Sequence, residues 1–130
     1  MLAVGDKVRY VPEICHAFEK GADGYPWAIG KLEWQSKGDG TRERVPVEVT
    51  DPKQLDALMA SARRSANRIQ AVPMRPIRSW PAVVRAVSED GKVANLDVTS
   101  PRGGVTLHYD TIPVVTPGGD LVPHTCYPEE

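Results

Sequence analysis

The chain has 130 residues, 41% hydrophobic and 25% charged, a composition that excludes a disordered polymer and allows a core that needs no staples. No run approaches the roughly 20 apolar residues of a membrane-spanning helix, Met1–Asp6 lacks the basic-then-apolar layout of a signal peptide, and two cysteines make no disulfide framework; a cytoplasmic protein with free thiols is the expectation. The net charge of −1 conceals a split, because Ala57 to Ser88 carries six arginines, no lysine and no acid, so that stretch is +6 and the remainder −7.

Val4–Pro12 opens with a Gly-Asp turn and then alternates, Val8 and Tyr10 on one side and Lys7, Arg9 and Val11 on the other. It reads as an edge strand closed by a proline that has no N–H to give the ladder. Glu13–Lys20 has Ile14 and Phe18 at i,i+4 before Gly21, the spacing of two helical turns. Ala28–Gln35 reads as a strand with Leu32 and Trp34 inward, Lys37–Gly40 as a loop, and Arg44–Val49 as its partner with Val45, Val47 and Val49 on one face, which makes a hairpin.

Thr50 or Asp51 then caps a helix that Pro52 begins. Leu55, Leu58, Met59, Ala62, Ala66 and Ile69 follow at helical spacing as a core-facing stripe. Lys53, Asp56, Arg63, Arg64 and Arg68 face the other way, and the late arginines complement the negative end of the helix dipole. From Val72 to Pro81 the prolines at 73, 76 and 81 exclude helix and central strand and leave an extended connector.

The last third is a three-stranded meander. Ala82–Val87 is β-branched, Asp90-Gly91 marks a turn, Val93–Thr99 alternates, and Val105–Tyr109 alternates again after Pro101–Gly104. Ala82, Val84 and Ala86 should share one face, as should Ala94, Leu96 and Val98, and Val105, Leu107 and Tyr109. Leu121–Tyr127 supplies a last short strand. Together these elements predict a mainly β single domain over 1–130: a small SH3-like antiparallel barrel formed by about 4–12 and 80–127, with 13–79 inserted and one amphipathic helix at about 52–70. A β-sandwich is the alternative.

Two stretches, V-G-D-x-V-x-Y-V-P (Val4 to Pro12) and W-P-A-V-V-x-x-V-x-x-D-G followed by N-L-D-V-x-S-P-x-G-G-V-T-L-H-Y (Trp80 to Tyr109), resemble small accessory proteins encoded by tailed bacteriophages and prophages. The resemblance implies an SH3-like barrel, a phage or prophage setting and the host cytoplasm as location. It carries no catalytic assignment, and Glu13–Ser79 lies outside it.

Four kinds of chemistry can be weighed on the residues. Cys15-His16 and His124-Thr125-Cys126 would give a Cys₂His₂ metal set if the ends met. Adjacent Cys-His side chains diverge on a strand, however, whereas structural zinc pairs sit about two to four residues apart, so ordinary thiols and imidazoles are the plainer reading and neither metal nor cofactor is assigned. A small Cys/His hydrolase would need Cys15, His16, His108, His124 or Cys126, and no spacing shows that a thiol and a base converge. Arginine without lysine suits fork-like contact with phosphate or carboxylate, which points to Arg63, Arg64, Arg68, Arg75 and Arg78, with Arg102 beside Gly103-Gly104. Trp27 and Trp80, with Trp34 and Tyr25, are rings that would stack on a ligand; the plainer alternative pairs the arginines with the chain's own acids and plugs the barrel with the rings. Finally, Met74, Ile77 and Trp80 recur at the polyproline II period and would line a protein interface.

The expectation for function is a non-enzymatic binding protein of phage or prophage type, a homo-oligomer, gripping an anionic small molecule or nucleic acid. It would sequester a host defence signal or occupy a host protein. The alternatives are a structural virion component, such as a head-completion or tail protein, and the small hydrolase.

Overall fold

The computed structural model describes residues 1–21, 23–64, 70–101, 104–116 and 120–129. Among them the chain is mainly β, with 49% in strands and 14% in helix. In chain order the elements are β1 (Lys7–Val11), β2 (Trp27–Ser36), β3 (Arg42–Glu48), α1 (Pro52–Arg64), β4 (Ala71–Pro76), β5 (Trp80–Val87), β6 (Val93–Thr99), β7 (Thr106–Pro113) and β8 (Thr125–Pro128). No helix among the described residues is long and apolar enough to cross a membrane. Two compact units result, Met1–Pro26 with Pro76–Glu130, and Trp27–Arg75.

The first unit is an antiparallel sheet in the order β7-β6-β5-β1-β8. Its core follows from period-2 alternation: Val8 and Tyr10 of β1, Trp80, Ala82 and Val84 of β5, Ala94, Leu96 and Val98 of β6, Ile112 of β7 and Cys126 of β8 are buried together. The sheet curls into a half-barrel. Past β7 the chain reaches the far edge, where Val114 bridges Cys126 and the Val115 N–H donates to the Cys126 carbonyl at 2.8 Å.

Two bulges correct the expected faces. Arg85 is an extra residue between the pairs Val84↔Leu96 and Ala86↔Asn95, so the alternation of β5 slips by one; Ala86 is exposed and Val87 packs on the core in its place. On β7, Asp110 and Thr111 together oppose the single residue Asn95 between Tyr109↔Leu96 and Ile112↔Ala94, so β7 carries one extra residue there. Thr111 takes φ 58°, its N–H donates to Asn95 Oδ1 at 2.9 Å, and Ile112 rather than Thr111 turns inward. Val105 lies before β7 and is exposed. Asn95 thus sits opposite both bulges, and outside them Arg85 joins Asp97 and Asp110 at 2.8 Å each.

The second unit is a sheet in the order β3-β2-β4 with α1 beside it in sequence. The hairpin runs in register from Gly30↔Glu48 to Ser36↔Arg42. Leu55, Leu58 and Ala62 are half-buried and Met59 is fully buried, the stripe that the helical spacing predicts. Asp51 begins the helix, its carbonyl accepting from Leu55 N at 2.9 Å; Ala66, Arg68 and Ile69 lie outside the described residues.

Three expectations change. Trp34 is 63% exposed rather than inward, because burial on β2 ends near Leu32 and alternation selects a face only where something covers it. The proline connector is in part β4, an edge strand, the one sheet position that tolerates Pro73 and Pro76 without a lost ladder bond. Glu13–Lys20 makes a single 3₁₀ turn, Ile14–His16, with Ile14 exposed, so no two-turn helix forms.

Candidate functional site

On β1 the parity that buries Val8 and Tyr10 sends Arg9 to the opposite face. There its Nε donates to Ser79 Oγ at 2.9 Å, its Nη2 donates to the Ser79 carbonyl, and Ser79 Oγ meets the Tyr127 hydroxyl at 2.8 Å. The guanidinium is therefore fixed by the residue just before β5 and, through it, by β8.

Arg78 arrives from the same short link. Its N–H and that of Ile77 both donate to the Pro26 carbonyl, at 3.0 and 2.8 Å, which anchors the backbone. Its guanidinium lies beside Gly24: a Cβ on Gly24 would stand 3.7 Å from Arg78 Cζ, an ordinary contact, and Gly24 holds φ 106°. The backbone angle is what favours glycine here, since a Cβ would make only ordinary contact with the guanidinium.

Both arginines line one cleft of about 290 Å³. Its walls are apolar, from Pro26, Trp80, Pro81 and Pro101, and Ser100 and Thr99 lie along it. Asp23 is the one acid in the lining, and among the described residues neither Arg9 nor Arg78 forms an ion pair with a carboxylate. Two planar forks with unused N–H groups over an apolar wall are equipped to hold an oxyanion.

The chain matches no protein-family model, no curated protein and no solved structure.

A second cluster joins the two ends of the same unit. Tyr10 and Tyr109 stack with ring centroids 4.8 Å apart, Tyr109 OH meets His16 Nε2 at 2.8 Å, and His16 Nδ1 meets Glu19 Oε1 at 3.3 Å. His124 Nδ1 lies 2.8 Å from Glu13 Oε1 and 3.0 Å from the Tyr10 hydroxyl. One tautomer assignment gives every contact a proton: Nδ1–H of each histidine donates to its glutamate, that of His124 being shared with the Tyr10 oxygen, while Tyr10 donates to Tyr109 and Tyr109 to His16 Nε2. Burial above all, then the negative potential of neighbouring groups, raises the pKa of both phenols. Burial followed by Glu13 also raises the Cys15 thiol, and burial alone pushes Cys126 up to about 11. Neither thiol has the lowered pKa that a thiolate nucleophile uses, so the cluster offers hydrogen bonds that tie the chain ends together.

The residues singled out on sequence are placed as follows. Arg78 and Trp80 line the cleft, although Trp80 is 5% exposed and has little ring surface free to stack on a ligand. Arg63 and Arg64 are exposed at the end of α1, Arg68 and Arg102 lie outside the described residues, and Arg75 is bound to Glu48 at 2.9 Å. Trp27 is buried at the start of β2. Met74 is exposed, Ile77 half-buried and Trp80 buried. Cys15 is exposed and Cys126 is in the core; His16 and His124 both flank Tyr109, and no group of three metal-ligating side chains occurs among the described residues. Arg9, Ser79 and Gly24 complete the cleft without having stood out in the sequence. The only signal for Arg9 was its outward parity between Val8 and Tyr10.

Proposed function

We propose that this chain is a non-enzymatic binding protein whose ligand is a small molecule bearing a phosphate or carboxylate group. The observation that carries the reading is the convergence of Arg9 and Arg78, both without a carboxylate partner among the described residues, on one apolar-walled cleft. At about 290 Å³ the cleft lies at the small end of ligand sites, which run from about 300 to 1,000 Å³. A nucleic acid would need a longer basic track, whereas Arg75 and Arg85 are already engaged by Glu48, Asp97 and Asp110. The phage and prophage resemblance of Val4–Pro12 and Trp80–Tyr109 supports an infected host cell as its setting, where it would withdraw a signal molecule or block a host factor. The strand order β7-β6-β5-β1-β8 supports an SH3-like barrel as its frame.

Native mass spectrometry of protein purified from its own host tests the reading. Release of a phosphate- or carboxylate-bearing molecule on denaturation, lost in Arg78→Ala and Arg9→Ala proteins that keep the wild-type thermal transition, is the expected result. A bare chain mass, or a ligand retained equally by both variants, refutes it.

A further inference from the structure

Every residue from Glu33 to Arg44 is exposed, yet the stretch is a regular hairpin. Its strands pair at Trp34↔Arg44, Gln35↔Glu43 and Ser36↔Arg42, and its loop is closed by Lys37 N donating to the Thr41 carbonyl at 2.8 Å and by Asp39 Oδ1 accepting from Thr41 N at 3.0 Å. A two-stranded ribbon with no core is marginal by itself in water, and its largest side chain, Trp34, is of the type that anchors interfaces. Cross-strand partners share a face. Trp34, Ser36, Arg42 and Arg44 therefore make one face of the ribbon, with the Arg44 guanidinium 5.7 Å from the Trp34 ring centre. Neither Arg42 nor Arg44 forms an ion pair among the described residues.

The complementary surface belongs to the same unit. A groove of about 570 Å³ is lined by Val47, Val49 and Leu58 together with Glu33, Glu48 and Asp51, and Lys31 is its one cation among the described residues. It offers apolar side chains to an indole and, since Glu48 is already held by Arg75, the Glu33 and Asp51 carboxylates to two guanidinium groups. The ribbon cannot reach its own groove: Glu33 lines the groove and Trp34 is its neighbour on one strand, so the pleat turns the two to opposite sides. We infer that the hairpin arm, through Trp34, Arg42 and Arg44, docks into this groove of a second copy of the chain. Because each copy carries both arm and groove, reciprocal docking closes a twofold dimer.

Sedimentation velocity over a concentration series tests this, with Trp34→Ala, Arg44→Glu, Glu33→Arg and the double variant Arg44→Glu/Glu33→Arg. All change exposed positions, and far-UV circular dichroism confirms that each is folded. The expected result is a wild-type dimer, at least about tenfold weaker dimerisation in each single variant, and recovery in the double variant through the reversed ion pair. Since Trp27 and Trp80 are both 5% exposed, a blue shift of fluorescence with concentration reports Trp34 entering an apolar site, and it should vanish in Trp34→Ala. A wild-type chain that stays monomeric throughout overturns the proposal. So does a dimer indifferent to Trp34→Ala and Arg44→Glu, and failure of the double variant to recover removes the groove as the seat.

Discussion

Thr111 offers a test in which two similar substitutions should part company. It is a β-branched residue at φ 58°, where an L side chain crowds the backbone at a cost of about 1–2 kcal/mol. Its side chain is exposed and its N–H is already served by Asn95 Oδ1, so removing the side chain gives up no packing. Thr111→Gly should relieve the crowding while losing about 0.5–1 kcal/mol to the freer unfolded chain. The net is a stabilisation of about 0.5–1 kcal/mol, read as a rise in Tm of roughly 2–5 °C by calorimetry, together with a higher urea midpoint at unchanged m. Thr111→Ala keeps a Cβ at the same angle and should recover little of this. A drop in Tm for the glycine variant, or an equal rise for alanine, would refute the view that the bulge of β7 stores backbone strain.

Tyr109→Phe removes the hydroxyl that meets His16 Nε2 and Tyr10, and should lower unfolding free energy by about 1 kcal/mol in urea titrations. Leu96→Ala, at a fully buried position of a central strand, should cost about 2–5 kcal/mol by the same measurement. A thiol reagent should modify Cys15 alone in the native protein and Cys126 only after denaturation, because Cys126 is fully buried. The Asp90 carboxyl is held below its usual pKa by the Ser88 hydroxyl and the Lys92 N–H. A depressed folded pKa means stability that is fully present above the unfolded value of about 3.9 and fades as pH falls through the folded one. Asp90→Asn should therefore flatten the acid limb of a Tm-versus-pH curve, and an unchanged limb would count against that bond.

The meander was legible because Val84, Leu96 and their neighbours alternate into the core of the curled sheet, and α1 because Asp51-Pro52 and its apolar stripe agree. Sequence reading failed where an element was interrupted or uncovered. Arg85 and Asp110-Thr111 carry no mark of a bulge, yet each reverses the faces beyond it. Trp34 keeps the period of a buried strand in a ribbon whose residues from Glu33 on are all exposed. The cleft was half legible: Arg78 and Trp80 stand close together in the arginine-rich stretch, but Arg9 joins them from 70 residues before Ser79, and composition along a window cannot see a partner that β-pairing supplies.

The Pro26 carbonyl receives the N–H groups of both Ile77 and Arg78. The chain therefore leaves the first unit and returns to it at almost the same point, and everything from Trp27 to Arg75 is a loop whose two feet are already fastened together. For the half-barrel the length of that loop matters little to chain entropy, since closing it entails little extra ordering once its feet are joined. In terms of chain entropy, such a doorway is a place where segments of different length can be carried at one site for nearly the same cost of closure.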